Sequence, residues 1–277
     1  MDTKKENNIP LSGEMPKAKG AWALILGGSS GLGLATAKKL ALYGYNLIII
    51  HRDARVNMPE IEKDFKQIEE GNRIVLKHFN CDAAKKEKRE SVLKELNTLL
   101  KKSEKISVLV HSIAKGSLKP MYEENGTGLN HEDFGITLNA MALSLFDWTK
   151  SIFEAGWFAG DSRIVSFTSE GNTKAWPGYA AVSAAKVTLE AITRNIALEY
   201  AGMGIKANCI QAGTTETPAF KMIPGNEKLK KSALRRNPNG RLTTPEDVAN
   251  VVYLLTLDEA KWITGTVIKV DGGESLR

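Results

Sequence analysis

The stretch WALILGGSSGLGLATAKKLAL, from Trp22 to Leu42, decides the fold. Its first five residues, Trp22–Leu26, are apolar throughout, as in a strand buried on both faces. Gly27-Gly28-Ser29-Ser30-Gly31-Leu32-Gly33 follows at once, and the pattern then becomes helical over Leu32–Leu42. Glycines at such a junction allow a tight turn, let backbone approach a pyrophosphate, and let helix pack closely on strand. The context of strand, turn and helix marks a dinucleotide-binding turn. Its Gly-x3-Gly-x-Gly spacing differs from the G-x-G-x-x-G of most dinucleotide folds.

Outward from this unit the same alternation repeats. Candidate strands are Trp22–Leu26, Asn46–Ile50, Ile74–Phe79, Val108–His111, Arg163–Thr168, Ile205–Ile210 and Val267–Val270. They are short, rich in Val, Ile and Leu, and show little in/out alternation. Helical patterns lie between them at Leu32–Leu42, Met58–Glu70, Ala84–Leu100, Asp133–Gly156, Tyr179–Met203 and Pro245–Leu257. The expectation is an α/β protein, a Rossmann-like doubly wound parallel sheet of about seven strands with helices on both faces. Residues 1–20 are polar and aperiodic and read as a flexible tail; residues 21–277 read as one catalytic domain. Ligands of such sheets bind beyond the carboxyl ends of the strands, which directs attention to the residues just after each strand.

Composition agrees. The chain has 277 residues, 42% hydrophobic and 25% charged, as in ordinary globular proteins rather than disordered or fibrous ones. Two cysteines, Cys81 and Cys209, cannot build a disulfide framework and read as small core residues, so a reduced, cytoplasmic setting is expected. No apolar run reaches transmembrane length, and the first twenty residues resemble neither a signal peptide nor an anchor. The net charge of +6 comes from scattered lysines and arginines, not from a basic run interleaved with aromatics, so no nucleic-acid or membrane partner is expected.

The second strand ends in Ile50-His51-Arg52-Asp53. An acid there would bind the ribose of NAD, whereas an arginine accommodates the extra phosphate of NADP. Arg52 favours NADP(H) over NAD(H), while a shift of two residues would let Asp53 take the NAD role. Asp82, closing the third strand, either accepts from an adenine amino group or caps the following helix.

The turn at Gly27–Gly33 resembles that of the short-chain dehydrogenase/reductase family. The resemblance extends over Ala21–Gly273 and includes Asn139, Ala212-Gly213 and Val270-Asp271-Gly272-Gly273. The family's catalytic tyrosine stands four positions before its lysine. Here Lys186 matches the lysine, but Val182 occupies the tyrosine position, and the nearest phenol is Tyr179, seven positions before Lys186. Seven residues make nearly two helical turns, so the two still share a face, about 10 Å apart rather than about 6 Å. Tyr-x6-Lys resembles the enoyl-acyl-carrier-protein reductases of this family, as does His111-Ser112-Ile113-Ala114. Ser169 stands where those enzymes keep a second tyrosine and where ordinary members keep a catalytic serine. The closest resemblance is to the enoyl reductases that are similar to ketoacyl reductases and use NADPH.

That resemblance implies reduction of a trans-2-enoyl thioester, in fatty acid elongation, with Tyr179, Lys186 and Ser169 as catalytic residues. It implies cofactor contacts from Gly27, Ser29, Ser30, Gly31, Leu32 and Gly33 in the turn, and from Arg52, Asp82, His111, Ser112, Ile113, Ala114, Asn139 and Lys186. The segment Ala212, Gly213, Thr214, Thr215 and Thr217 would cap the cofactor, with Thr217 at the nicotinamide end. No metal is called for, and a homotetramer is expected. The basic run Lys228–Arg236 either docks an acidic acyl carrier protein or is a solvated helix face. Two other functions stay open: a carbonyl or 3-oxoacyl reductase, and a silent NADP-binding regulator.

Overall fold

The computed structural model describes residues 20–124 and 126–277. Of the expected tail, only Gly20 lies among them. The sheet is built from β1 (Trp22–Leu26), β2 (Asn46–His51), β3 (Leu76–Asn80), β4 (Ile106–His111), β5 (Phe158–Ser169), β6 (Ile205–Ala212) and β7 (Val267–Val270). All neighbours are parallel, in the order β3-β2-β1-β4-β5-β6-β7. Parallel neighbours need long crossovers, and helices supply most of them. These are α1 (Gly31–Leu42), α2 (Met58–Asn72), α3 (Lys86–Leu99), α4 (His131–Leu138), α5 (Ser144–Glu154), α6 (Ala180–Glu199), α7 (Pro218–Lys221), α8 (Asn226–Arg236) and α9 (Pro245–Thr256). The result is the expected Rossmann-like doubly wound fold.

The pleat sends successive side chains of β1 into different cores. Trp22, Leu24 and Leu26 join Leu96, Trp148 and Leu189 from α3, α5 and α6. Ala23 and Ile25 join Leu40, Phe65 and Val252 from α1, α2 and α9. A strand buried on both faces must be apolar at every position, which is why Trp22–Leu26 shows no alternation. The edge strand β3 differs. It is half-exposed along Leu76–Asn80 and starts two residues later than expected, because only one side has a strand to pair with.

Other boundaries moved as well, most of all around the fourth helical pattern and the fifth strand. The helix expected over Asp133–Gly156 is two α segments joined by a π turn at Asn139–Leu143, and it starts at His131 because Asn130 and Asp133 form a capping box. Strand β5 begins at Phe158, not Arg163. Phe158 pairs with Ile106, and a register irregularity absorbs the turn-like Ala159–Ser162, whose Ser162 hydroxyl donates to the Ile106 carbonyl at 3.2 Å.

The chain leaves β1 toward β2 and β3, then returns to lay β4 on the other side of β1. The crossovers diverge at that switch point and leave a cleft at the carboxyl ends of β1 and β4. No helix among the described residues is long and apolar enough to cross a membrane.

Candidate active site

A cavity of about 860 Å³ lies along the carboxyl ends of the central strands. At its floor the glycine turn is too tight for side chains. Gly27 has φ +85°, and a Cβ there would sit 2.5 Å from the Ser112 carbonyl oxygen; one on Gly33 would sit 2.0 Å from the Gly27 oxygen. Ser30 caps α1 in extended conformation without a side-chain hydrogen bond, and the first turn holds no acid. The free amides and positive dipole end of α1 therefore meet the cavity beside Ser29 and Ser30, an arrangement suited to a phosphate.

At the end of β2, Arg52 reaches Asp82 at 3.2 Å, and Lys115 reaches the same carboxylate oxygen at 3.1 Å. Asp82 also accepts from the Ala84 amide at 3.1 Å. Burial pushes its carboxyl up, but the Lys115 and Ala84 hydrogen bonds and the charges of Lys115 and Arg52 hold it below the ordinary value. Of the two roles open to Asp82, that of helix cap falls away, because α3 starts at Lys86 with Lys85 before it.

Tyr179 stands at the N-cap of α6, buried, with its ring edge-on to Trp176 at 5.4 Å and its hydroxyl 3.5 Å from Ser169 Oγ. Burial pushes its phenol up, partly offset by the Ser169 hydrogen bond. Lys186, two turns along, donates to the Phe167 carbonyl at 2.6 Å. Burial lowers its ammonium to about 8, against opposing pulls from Cys209 and Glu190. Between them Val182 faces the cavity and packs with Met141, Tyr179 and Ala185 in an apolar cluster that Leu118, Trp176 and Ile223 extend. The cavity therefore has a polar end at the glycine turn, a buried cation, and an apolar wall carrying a phenol.

Most of the expected residues line this space: Gly27, Ser29, Ser30, Gly31, Leu32, Arg52, Asp82, Ser112, Ile113, Ala114, Ser169, Tyr179, Lys186, Ala212, Gly213, Thr214, Thr215 and Thr217. Four expectations change. Gly33 is off the wall and serves packing, since its bare Cα lets the Gly27 carbonyl approach. His111 faces the helical layer behind the sheet. Its Nε2 meets Ser144 Oγ at 2.8 Å, and because that hydroxyl donates to the Ala140 carbonyl, the imidazole is the donor. Complete burial lowers its pKa to about 3, so it is neutral and structural. Asn139 opens the π turn, outside the cavity lining, with its amide 3.4 Å from the Ala84 carbonyl. Thr217, expected at the nicotinamide end, packs its methyl side against Gly31 at the phosphate turn and caps α7 through Phe220.

Residues distant in sequence complete the site. Arg236, in the last turn of α8, clasps Glu170 at 2.9 and 3.0 Å and Glu274 at 2.8 Å. Glu274 in turn accepts from the Thr214 amide and hydroxyl. This clasp ties α8 to the end of β5, just past Ser169, and to the segment that follows β6. Arg236 was legible only as the end of the basic run Lys228–Arg236, and Glu170 and Glu274, as isolated acids, carried no motif that could have revealed the pairing.

Comparison with known proteins agrees with this geometry. A tropinone reductase homologue from Arabidopsis thaliana is 27% identical over 92% of this chain and 92% of its own. A 3-oxoacyl-[acyl-carrier-protein] reductase from Thermotoga maritima is 28% identical over 93% of this chain and 98% of its own. The crystal structure of an enoyl-[acyl-carrier-protein] reductase (NADH) from Aquifex aeolicus superposes with a TM-score of 0.76 at 28% identity, over 94% of this chain and 98% of that one. The family model described as enoyl-(acyl carrier protein) reductase matches residues 27–275, and the chain belongs to that family of short-chain dehydrogenase/reductase oxidoreductases.

Proposed function

We propose that the chain reduces the double bond of a trans-2-enoyl thioester borne on acyl carrier protein, using NADPH. The observation that carries this is the pairing of a buried Val182 four positions before Lys186 with a phenol at Tyr179, a turn further out on the cavity wall. Ketone reduction puts the hydride on the carbon that bears the oxygen, so its proton donor sits close to the nicotinamide. Conjugate reduction puts it on the β carbon, and the negative charge then gathers on the thioester oxygen, several ångströms further away. Tyr179 suits that outer oxygen.

The glycine turn and the amino end of α1 would hold the pyrophosphate, and Arg52 the ribose phosphate, while Lys186 would hold the nicotinamide ribose. The nicotinamide cofactor supplies the hydride when bound. Tyr179 donates to the thioester oxygen and stabilises the enolate, and the α carbon then takes a proton that comes ultimately from solvent, through the phenol, as the double bond is saturated. Ser169, beside that phenol, positions it, and the charge of Lys186 favours the enolate. Leu118, Met141, Trp176, Val182 and Ile223 offer the acyl chain an apolar wall. We also infer a homotetramer, supported by Ile136, Leu143, Phe146 and Val187, which stand exposed on α4, the π turn, α5 and α6; sedimentation of the full chain checks it.

A second reading, a carbonyl or 3-oxoacyl reductase, is favoured by the similarity to the tropinone reductase homologue and the 3-oxoacyl-[acyl-carrier-protein] reductase above. NADPH absorbance with crotonyl and acetoacetyl thioesters separates the two. Consumption with crotonyl thioester is expected. Turnover of acetoacetyl thioester alone would establish the second reading, and nucleotide binding without turnover of either would point to a regulator.

A further inference from the structure

The residues Ile50-His51-Arg52-Asp53 place an arginine and an aspartate where the second ribose of a dinucleotide would lie, and only one of them can dictate what that ribose carries. His51 is fully buried between two partners. Its Nδ1 lies 2.8 Å from Asp53 Oδ2, its Nε2 lies 3.2 Å from His78 Nδ1, and Phe65 closes over it edge-on. A carboxylate only accepts, so His51 Nδ1 is the donor, and His78 Nδ1 is the partner of its Nε2. Asn80 clamps the backbone of the same residue from both sides: the Asp53 amide donates to Asn80 Oδ1 at 3.0 Å, and Asn80 Nδ2 donates to the Asp53 carbonyl at 3.0 Å. Arg52 is free of that clamp. Its side chain is half-exposed and turns the other way, toward Asp82.

We propose that His51 is a positioning residue for cofactor choice: it draws the Asp53 carboxylate back against β3 and so leaves Arg52 alone to meet the 2′ substituent. An aspartate at liberty there would accept from the 2′-hydroxyl of the unphosphorylated ribose and repel a 2′-phosphate. Asp53 still lines the cavity, but with Oδ2 held by a buried imidazole that His78 orients, its carboxylate cannot swing to the 2′ position to do either. This inference rests on the NADPH reading above and adds the residue that enforces it.

Calorimetric binding of adenosine 2′,5′-bisphosphate and of AMP to the full chain tests it without catalysis. Wild type is expected to bind the bisphosphate at least tenfold more tightly, and Arg52→Ala to erase most of that preference. His51→Ala, which frees Asp53, should cut the ratio about tenfold. His51→Asn keeps a donor near the Nδ1 position and should retain it, and His51→Ala with Asp53→Asn should restore it. Asp53→Asn alone covers the case in which His51→Ala does not fold: a ratio within twofold of wild type supports the tether, and a tenfold rise overturns it. The inference also falls if His51→Ala folds with an unchanged ratio, or if the double variant stays as poor as the single one. Equal affinity of wild type for the two nucleotides would instead sink the NADPH reading, and this one with it.

Discussion

Tyr179 carries the hydroxyl that Val182 lacks, and the two side chains share one apolar cluster. Tyr179→Phe keeps the ring on Trp176 and removes only the donor. Turnover of an enoyl thioester is expected to drop roughly tenfold or more, the usual scale for one positioned donor, while nucleotide binding persists. Steady-state rates beside a nucleotide titration check this, and wild-type turnover in the variant would take Tyr179 out of the mechanism. Val182→Tyr should not rescue it, because its hydroxyl lies a turn nearer the nicotinamide. Lys186 sets a pH dependence. Its ammonium, lowered by burial to about 8, is charged below that pH and neutral above it. On the proposed enoyl reading that charge favours the enolate, so kcat is expected to decline as pH rises through about 8. A profile flat from pH 7 to 9 at saturating substrate would remove that electrostatic role.

Among the elements, α8 carries the basic run for which docking of an acidic carrier and a solvated helix face are the two expectations. Its run Lys228–Arg236 holds five basic residues, but two are already engaged: Lys230 with Glu216 at 2.6 Å, and Arg236 in the clasp on Glu170 and Glu274. Lys228, Lys231 and Arg235 stay exposed and are the charges available to steer an acidic carrier. Reversing those three to glutamate should raise the Michaelis constant for acyl-carrier substrates several-fold at low salt and leave the coenzyme A thioester nearly unchanged. Equal loss on both substrates would make the run a structural element rather than a docking surface. This division of the run could not be read from the chain, and the reason is general to the site. What local spacing controls was legible: the glycine turn, the strands around it, and Tyr179 and Lys186 on one helix. What depends on partners far along the chain was not. The face toward which His111 points is settled by Ser144, the holding apart of Arg52 and Asp53 by Asp82 on one side and His51 and Asn80 on the other, and the anchoring of α8 by Glu170 and Glu274.

Across the whole molecule a second ionic fastening lies at the end of the sheet away from the cavity. The cavity occupies the carboxyl ends of the strands, whereas Asp161 and Arg163 sit toward the amino ends of β5 and β6. Arg163 is 4% exposed; it donates to Asp161 at 2.5 and 3.1 Å and to the Leu255 carbonyl at 2.8 Å, tying β5 to the end of α9. Lys206 reaches Asp161 at 2.6 Å. The Arg163 hydrogen bonds, helped by Lys206, lower the Asp161 carboxyl from 3.8 to about 2. A depressed folded pKa stabilises fully above the unfolded value, and that share is lost as pH falls from about 4 toward about 2. Asp161 is 38% exposed, so solvent screening trims the ion-pair share. The larger cost of Asp161→Asn is a buried guanidinium left with a neutral acceptor, about 1–3 kcal/mol. For a chain of this size that lowers Tm by roughly 5 °C. Thermal unfolding of both proteins from pH 7 to pH 2 should show the gap closing as acid removes the wild type's advantage. Nucleotide affinity at pH 7 should match wild type within about twofold, because the cavity lies at the other end of the strands. A gap that persists at pH 2 would exclude the carboxylate's charge as its source, and a parallel loss of nucleotide affinity would show that the two ends of the sheet are coupled.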